Sequence, residues 1–296
     1  KIRKIGGNGP IMAAALATNG VPVDYIGPLG EPQIDDSFRD FAQQLNAHST
    51  GAPAATHALE FGDGKIMLTV IQTYDEVSAC RLKQTPGRQN MISLLARSRL
   101  VGLLNWTCLP HMDGILDWHA QELLPAVGED RGRIFFFDLA DPAKRSLEAV
   151  AGVLRRISGF ERFGRVVLGL NHSEACQASR ALGLSEPGED RSALQACAAK
   201  LRETLGLSIV MIHPRDFAVA ATAQESACAD GPVCEQPLIT TGAGDHLNAG
   251  FCLGLLLELP LQQCTQLGVL FSGYYVRSGK SSSLTDILSF IPTLQS

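Results

Sequence analysis

The chain has 296 residues, of which 45% are hydrophobic and 19% are charged. A chain of this length and composition can bury a large core, which excludes a disordered protein. The 25 basic and 30 acidic residues give a formal charge of −5, and no Lys/Arg cluster forms a basic stripe. The sequence therefore lacks the charge pattern of a protein that binds nucleic acid.

Membrane and disulfide signals are weak as well. The longest apolar stretch, Ala249 to Leu257, is too short to cross a bilayer, and the first residues do not resemble a signal peptide. The eight cysteines form no C-x-x-C pair, and the seven histidines lack zinc-site spacing. We expect reduced, structural thiols, no structural metal, no membrane partner and a cytoplasmic location.

Apolar runs typical of strands alternate with helical patterns, which predicts a parallel sheet covered by helices. The predicted strands cover 21–26, 100–104, 134–137, 166–168 and 209–212. The predicted helices cover 12–18, 36–45, 115–124, 147–157, 173–182, 193–205, 245–257, 261–276 and 284–290. Two β runs around Gly62-Asp63-Gly64 predict a hairpin over 56–71 that forms part of a small accessory sheet. No repeat or linker divides the chain, so we expect one domain over residues 1–296.

The most informative segment is the glycine turn before the helix predicted at 245–257. Gly242, Ala243 and Gly244 stand where a loop enters that helix, and their N–H groups can point outward with little side chain to block approach. Together with the helix dipole, these amides predict an anion site. A transferring phosphoryl group is an anion that needs such donors.

Asp245 follows this turn directly. A carboxylate there can accept a proton from a substrate hydroxyl as its oxygen attacks the γ-phosphorus. The alternative is an ordinary Asp N-cap on a helix opened by a glycine-rich turn. The three small residues, and the close-packing positions Asn248-Ala-Gly250, favour the catalytic interpretation.

The stretch Ile239-Thr-Thr-Gly-Ala-Gly-Asp-His-Leu-Asn-Ala-Gly250 resembles the C-terminal signature of the PfkB (ribokinase-like) carbohydrate kinases, D-T-x-G-A-G-D-x-F-x-A-G. The resemblance implies a ribokinase-like three-layer αβα sandwich with a central, mostly parallel sheet and a small β lid. It also implies Asp245 as the catalytic base, the Gly242 to Gly244 amides as the anion hole, and ATP and Mg²⁺ at the site.

Near the start, Gly6 and Gly7 would let a ligand approach the backbone, and Asn8 can donate to and accept from a hydroxyl. A plain turn before a helix is the alternative. The family has a similar Gly-Gly, and its V-x-x-x-G-x-x-G run is matched by Val23 to Gly30. The resemblance implies that Gly6, Gly7 and Asn8 bind the acceptor substrate. It also implies that residues of about 54–73 form a lid that closes over the substrate and, in some members, builds a dimer.

Two more groups of residues follow from the resemblance. Asn171 and Glu174 match the family's N-x-x-E motif, which implies that they organise Mg²⁺ and phosphate, usually through water. The alternative is a helix start with Ser173 as N-cap and Glu174 at a capping position. The resemblance further implies that four residues border the nucleotide: Thr241, His213, Gly273 and Ser278.

Three departures limit the resemblance. Ile239 replaces the signature Asp that helps hold a monovalent cation in several members, so potassium activation lacks support. The segment 213–217, His-Pro-Arg-Asp-Phe, lacks the glycines usual in the nucleotide loop. The family's first strand, which ends in an Asp that contacts the acceptor, has no counterpart here, and we expect it to precede Lys1.

The segment 138–145 is only loosely similar to the family's Asp-x-Asn-x-Arg, and we interpret it as a strand-end Asp with Asp141 capping the next helix.

These patterns predict an ATP-dependent kinase that phosphorylates a hydroxyl of a sugar or related small metabolite. A nucleoside kinase of the same fold is the first alternative, since the sequence fixes neither the acceptor nor the hydroxyl attacked. The second is a kinase-like small-molecule sensor without catalysis, which the unusual nucleotide loop and Ile239 would fit.

Overall fold

A computed structural model describes residues 5–61, 64–70 and 72–294 of the chain. Within them the α-helices are α1 (Asn8–Thr18), α2 (Arg39–Gln44), α3 (Ala79–Leu82), α4 (Arg88–Arg97), α5 (Met112–Trp118), α6 (Leu124–Val127), α7 (Leu147–Ser158), α8 (His172–Ala181), α9 (Arg191–Leu205), α10 (Ala243–Leu256), α11 (Leu261–Ser278) and α12 (Leu284–Phe290). The strands are β1 (Asp24–Gly27), β2 (Asn46–Ser49), β3 (Ala55–Phe61), β4 (Gly64–Val70), β5 (Leu100–Leu104), β6 (Ile134–Asp138), β7 (Arg165–Leu170), β8 (Ile209–Ile212), β9 (Phe217–Ala221) and β10 (Ser226–Asp230).

The central sheet has six strands in the order β10-β9-β8-β7-β6-β5. Strands β5 to β8 pair in parallel, whereas β9 and β10 are added antiparallel at one side. The helices between the parallel strands return the chain to the same end of the sheet each time, as βαβ connections require. The sheet is therefore mostly parallel, as the sequence predicted.

Alternating side chains of β6 show why helices cover both faces of the sheet. Phe135 and Phe137 pack into one hydrophobic cluster, which includes residues of α4 to α9. Ile134 and Phe136 point the other way, into a cluster with α1, α10, α11 and α12. Successive strand residues face opposite sides, so an all-apolar strand must be buried on both. This arrangement is the three-layer sandwich that the resemblance implied.

Outside this sandwich lie two small sheets. β1 and β2 form a parallel pair, and β3 and β4 form an antiparallel hairpin in which Leu59 is opposite Ile66. The hairpin confirms the prediction for 56–71, although its turn residues Gly62 and Asp63, and Ile71, lie outside the described residues. A small cluster of Leu29, Phe38 and Phe41 packs this side of the molecule against α1.

The sequence predictions differ from the structure at element ends and by omitting several elements, among them helices α3 and α4. α1 begins four residues before the predicted start, and α10 begins two residues before it. The helix predicted at 115–124 is α5 followed by a wider helical turn, His119–Leu123. Strands β2, β9 and β10 were not predicted, since segments such as Phe217–Ala221 contain mostly alanine, which has low β propensity.

All eight cysteines are free, as expected for structural thiols. Cys252 and Cys264 are buried on α10 and α11 within one hydrophobic cluster. Among the described residues, no helix is long and apolar enough to span a membrane.

Helices α10 and α11 approach each other closely through glycines. A Cβ on Gly250 would lie 2.7 Å from the Leu267 carbonyl oxygen and 2.9 Å from the Phe271 ring. A Cβ on Gly254 would lie 2.9 Å from the Cα atom of Cys264. Because backbone atoms stand in the way, neither position can accept a methyl group without moving a helix.

Replacing Gly250 by Ala should lower the free energy of unfolding by about 1–3 kcal/mol, because the methyl group would overlap α11. Gly114→Ala on α5 is the matched control, since its Cβ would have no neighbour within 4 Å. That control should leave stability unchanged or raise it by up to about 1 kcal/mol. Urea denaturation of both variants measures the difference, and equal stabilities would contradict the close approach of the two helices.

Candidate active site

Three polar residues lie at the edge of the sheet where the parallel strands have their carboxyl ends. Asp138 is the last residue of β6, Asn171 follows β7 and His213 follows β8. Ligands of open α/β sheets bind outside these carboxyl ends. The edge formed by these residues is therefore where the fold would place a site.

The turn that opens α10 carries the predicted anion hole. Gly242 is the N-cap of α10 with φ +96°, a conformation that favours glycine, and a Cβ there would also contact Ile11 and Tyr275 at 3.2 Å. The Ala243 N–H donates to the Thr240 carbonyl oxygen (3.1 Å), so it is engaged within the turn. Within the described chain, the Gly242 and Gly244 N–H groups have no hydrogen-bond acceptor. Of the three amides predicted to bind an anion, those of Gly242 and Gly244 therefore keep an available N–H group within the described residues.

Asp245 lies in the first turn of α10, directly after these amides. Its carboxylate is half-buried and has no hydrogen-bond partner among the residues that the structure describes. Burial, and then the charge of Glu174, raise the pKa of Asp245 to about 7. A carboxyl with this pKa exchanges protons near neutral pH, which is what a general base requires.

A second carboxyl, Asp138, joins three parts of the chain. It is only 7% exposed and accepts hydrogen bonds from Asn8 Nδ2 (3.2 Å), Asn248 Nδ2 (2.8 Å) and the Ala140 N–H (2.9 Å). Burial, and then the charge of Asp245, raise the pKa of Asp138. The start of α1, the end of β6 and α10 therefore meet at one buried carboxyl.

The interpretation of Asp141 as a helix cap was wrong. Asp141 has φ +59°, and its side chain makes no capping hydrogen bond. Instead its backbone N–H donates to Glu174 Oε1 (2.8 Å). The left-handed backbone at Ala140 and Asp141 turns these amides back toward the carboxyls Asp138 and Glu174.

Asn171 and Glu174 form a capping box at the start of α8. Asn171 Oδ1 accepts from the Glu174 N–H (3.0 Å), and Glu174 Oε2 accepts from the Asn171 N–H (2.8 Å). The proposed N-cap Ser173 was wrong, because Asn171 occupies that position. Glu174 is buried, and burial, followed by the charge of Asp138, raises the pKa of Glu174.

The capping contacts leave a role toward Mg²⁺ open. Each Glu174 oxygen accepts one backbone N–H bond and keeps further lone-pair capacity. Hard oxygen atoms are the ligands that Mg²⁺ prefers. No group of three or more His, Cys, Asp or Glu side chains is arranged for direct metal binding in the described part of the chain. The donor set would therefore fit contact with Mg²⁺ through water.

Gly6, Gly7 and Asn8 line a cavity of about 830 Å³. Asn8 begins α1, and Gly7 before it has φ +90°. The cavity also contacts Tyr74 and Asn105, a strand-end residue with φ +67° that the sequence analysis missed. Neither Gly242 nor Asp245 lines the cavity, but Ile11, three residues after Asn8, lies against Gly242.

The four predicted nucleotide residues fall into two groups. His213 lies against the turn, since a Cβ on Gly244 would be 3.2 Å from His213 Cε1, and burial lowers the pKa of His213 to about 4. Thr241 is exposed and belongs to the turn itself. Gly273 is buried under Pro232, 2.8 Å from its would-be Cβ, so packing accounts for this glycine. Ser278 ends α11 and accepts from the Lys280 N–H (3.1 Å).

Sequence reasoning gave no site role to four residues that shape the site: Asp138, Asn248, His246 and Tyr275. A signal was present for three of them, since His246 and Asn248 are polar residues inside an apolar helix. Asp138 also ends a fully buried strand, where an ionisable residue needs partners. Tyr275 carries no such signal, since a tyrosine on a helix is ordinary.

Comparison with known proteins identifies the family of the chain. The sequence matches the prokaryotic ketohexokinase family over residues 2–293. It is 27% identical over 287 residues to a ketohexokinase from Haloferax volcanii, covering 97% of this chain and 75% of that one.

Solved structures show the same fold. A ribokinase from Thermotoga maritima superposes with a TM-score of 0.71 at 15% identity, covering 97% of this chain and 87% of that one. An adenosine kinase from Sinorhizobium meliloti superposes with a TM-score of 0.68 at 19% identity, covering 97% and 82%. The implied ribokinase-like fold is thereby confirmed. The chain belongs to the prokaryotic ketohexokinase family, whose members are carbohydrate kinases that transfer phosphate to a hydroxyl.

Proposed function

We propose that the chain transfers the γ-phosphoryl group of ATP to a hydroxyl of a ketose or related small sugar, with Asp245 as the catalytic base. The observation that carries this proposal is the half-buried Asp245 carboxyl, with its pKa raised to about 7, at a helix N-terminus. It follows two amides that have no hydrogen-bond acceptor among the described residues. The name of the Haloferax relative supports a ketohexose as acceptor.

The chemistry follows from this arrangement. Asp245 accepts the proton of the sugar hydroxyl while that oxygen forms a bond to the γ-phosphorus. The bond from the γ-phosphorus to the bridging oxygen breaks, and ADP leaves with that electron pair. The Gly242 and Gly244 N–H groups stabilise the charge on the transferred group, aided by the α10 dipole.

Nucleotide and metal contacts are assigned by position. Thr241 and His213 border the turn and would contact the phosphate tail, His213 as a neutral imidazole. Asn171 and Glu174 would hold Mg²⁺ through water, and Mg²⁺ would supply charge neutralisation for the phosphates. Gly273 and Ser278 remain assigned to the border of the nucleotide only by resemblance.

The acceptor would bind at the glycine corner. Gly6 and Gly7 expose backbone to the cavity, and Asn8 lines it while its Nδ2 is held by Asp138. A polyhydroxy compound needs such fixed donors and acceptors to be distinguished from an apolar ligand. The cavity exceeds the size of one hexose, so a nucleoside must be tested as an alternative acceptor.

The lid carries an unpaired apolar face. Four apolar side chains of the β3–β4 hairpin are 46–55% exposed: Leu59, Ile66, Leu68 and Val70. Their register places them on one face of the hairpin. An isolated two-stranded hairpin is marginally stable, so we propose that a second copy covers this face in a homodimer.

The acceptor proposal is tested by measuring ADP release with ATP and Mg²⁺ across ketohexoses, aldohexoses, pentoses and nucleosides. The ketohexose arm should have the highest kcat/KM, and Asn8→Ala should lower kcat/KM about tenfold or more by removing a polar contact. Faster turnover of a nucleoside would make the chain a nucleoside kinase. No ADP release in any arm, with ATP binding retained, would favour the sensor.

Asp245→Asn should lower kcat about 10²–10⁴-fold while ATP binding persists, because the base is lost but the amides remain. Asp40→Asn, an exposed Asp in the first turn of α2, is the control and should be fully active. Normal turnover by Asp245→Asn would exclude Asp245 as the base.

The Asp245→Asn variant should also show how much the buried charge of Asp245 lowers the free energy of unfolding. Because folding raises the pKa of Asp245, the folded state binds the proton more tightly, and this carboxyl lowers stability as pH rises from about 4 to 7. The free energy of unfolding of Asp245→Asn minus that of the wild type should therefore be larger at pH 8 than at pH 4. Thermal unfolding at the two pH values measures this, and a pH-independent difference would contradict it.

Leu68→Glu should convert the dimer to monomers in sedimentation equilibrium, since a charge would enter the apolar interface. Val233→Glu, at a 79% exposed position outside the hairpin, should remain dimeric. A monomeric wild type, or a dimeric Leu68→Glu, would show that the lid face has another use.

A further inference from the structure

Two stacked rings lie behind the turn that opens α10. The His246 and Tyr275 rings are 3.7 Å apart between centroids with an interplanar angle of 14°. His246 follows Asp245 on α10 and is 2% exposed, while Tyr275 is buried on α11. The pair therefore connects the catalytic helix to the neighbouring helix directly beneath the turn.

Each ring binds one of two successive carbonyl groups of the turn. The Tyr275 hydroxyl donates to the Thr241 carbonyl oxygen (3.0 Å), and His246 Nδ1 lies 2.7 Å from the Gly242 carbonyl oxygen. The backbone N–H of His246 donates to the same Gly242 oxygen (3.1 Å). Both carbonyl groups are thus turned toward the rings.

The hydrogen bonds of His246 also fix its tautomer. A carbonyl oxygen only accepts, so Nδ1 must carry the proton, and Nε2 then accepts from the Ser281 hydroxyl (2.9 Å). Burial lowers the pKa of His246, which keeps the ring neutral. Asn19 donates to the Ser282 carbonyl oxygen (2.9 Å), so the segment that holds His246 is itself anchored to α1.

The direction of a carbonyl group determines the direction of the next amide. In a trans peptide the C=O and the following N–H lie in one plane and point in opposite directions. Holding the Thr241 oxygen toward Tyr275 therefore points the Gly242 N–H away from the rings. Holding the Gly242 oxygen toward His246 sets the orientation of the next peptide plane. The first turn of α10, which contains Asp245, follows directly after that plane.

We propose that His246 and Tyr275 are positioning residues that fix these two peptide planes, so that the Gly242 amide and Asp245 face the transferred phosphoryl group. The inference rests on the proposed function and extends it to residues that touch neither substrate. It assigns the effect to hydrogen bonds with two particular carbonyl groups, beyond the packing of the rings.

The test uses substitutions that each remove one hydrogen bond. Tyr275→Phe keeps the stacked ring, whereas both substitutions of His246 lose the imidazole ring, so the comparison between them isolates the hydrogen bond. Tyr275→Phe loses the bond to the Thr241 oxygen. His246→Gln places its amide near the Ser281 hydroxyl and loses the bond to the Gly242 oxygen, whereas His246→Asn retains a donor near the Nδ1 position. Tyr274→Phe is the control on the same helix, since the Tyr274 ring contacts Phe290 instead.

We expect Tyr275→Phe and His246→Gln to lower kcat about 10–100-fold, as small misplacements of catalytic groups do, with KM values for ATP and sugar within about twofold of the wild type. His246→Asn should recover most of kcat, and Tyr274→Phe should match the wild type. Thermal unfolding of each variant identifies any that fail to fold, and kcat is expressed per folded enzyme.

Equal kcat values for wild type, Tyr275→Phe and His246→Gln would overturn the inference and leave the proposed function intact. So would a rise in KM with unchanged kcat, since the residues would then act in binding. Equal losses in His246→Asn and His246→Gln would reduce the role of His246 to packing. A wild type that phosphorylates no sugar would remove the proposed function and this inference with it.

Discussion

The buried Asp138 carboxyl is the interaction on which the site depends. A carboxylate removed from water must find hydrogen-bond donors or take up a proton, and Asp138 finds donors on Asn8, Asn248 and the Ala140 backbone. These donors belong to the first helix, the catalytic helix and the loop after β6. One polar group thus joins the start of α1, where we propose that the acceptor binds, to α10.

Burial, and then repulsion among the buried carboxyls, raises the proton affinity of three carboxyls in the candidate site. Asp138, Glu174 and Asp245 influence one another, and each has a raised pKa, to which burial contributes most. The structure supplies N–H groups to Asp138 and Glu174 but none, within the described residues, to Asp245. This difference in donors supports the proposal that Asp245 exchanges a proton with the substrate.

Much of the fold could be predicted because its signals are local. Apolar runs such as 134–137 and 209–212 were identified as buried strands, and the glycine turn before α10 was identified from three small residues. The Ala-rich strands β9 and β10 were missed because their pairing, more than their side chains, makes them strands. Boundaries at α1 and α10 shifted because a glycine with positive φ precedes each helix, which composition alone does not show.

The site was predicted in part, and the limit has a physical cause. Asp245 and its neighbouring glycines are contiguous in sequence, so their chemistry could be inferred from spacing. Asp138 and Asn248 are 110 positions apart, and His246 and Ser281 are 35 apart, so their contacts exist only in the folded chain. Asp141 shows the converse, because a local capping pattern was overridden by a left-handed backbone that serves Glu174.

The glycine contacts between α10 and α11 have a mechanical consequence. Where backbone meets backbone, as at Gly250 and the Leu267 carbonyl, there are no flexible side chains to absorb a tilt or a slide. Helices α10 and α11 therefore form one rigid unit, and Asp245 lies in the first turn of α10.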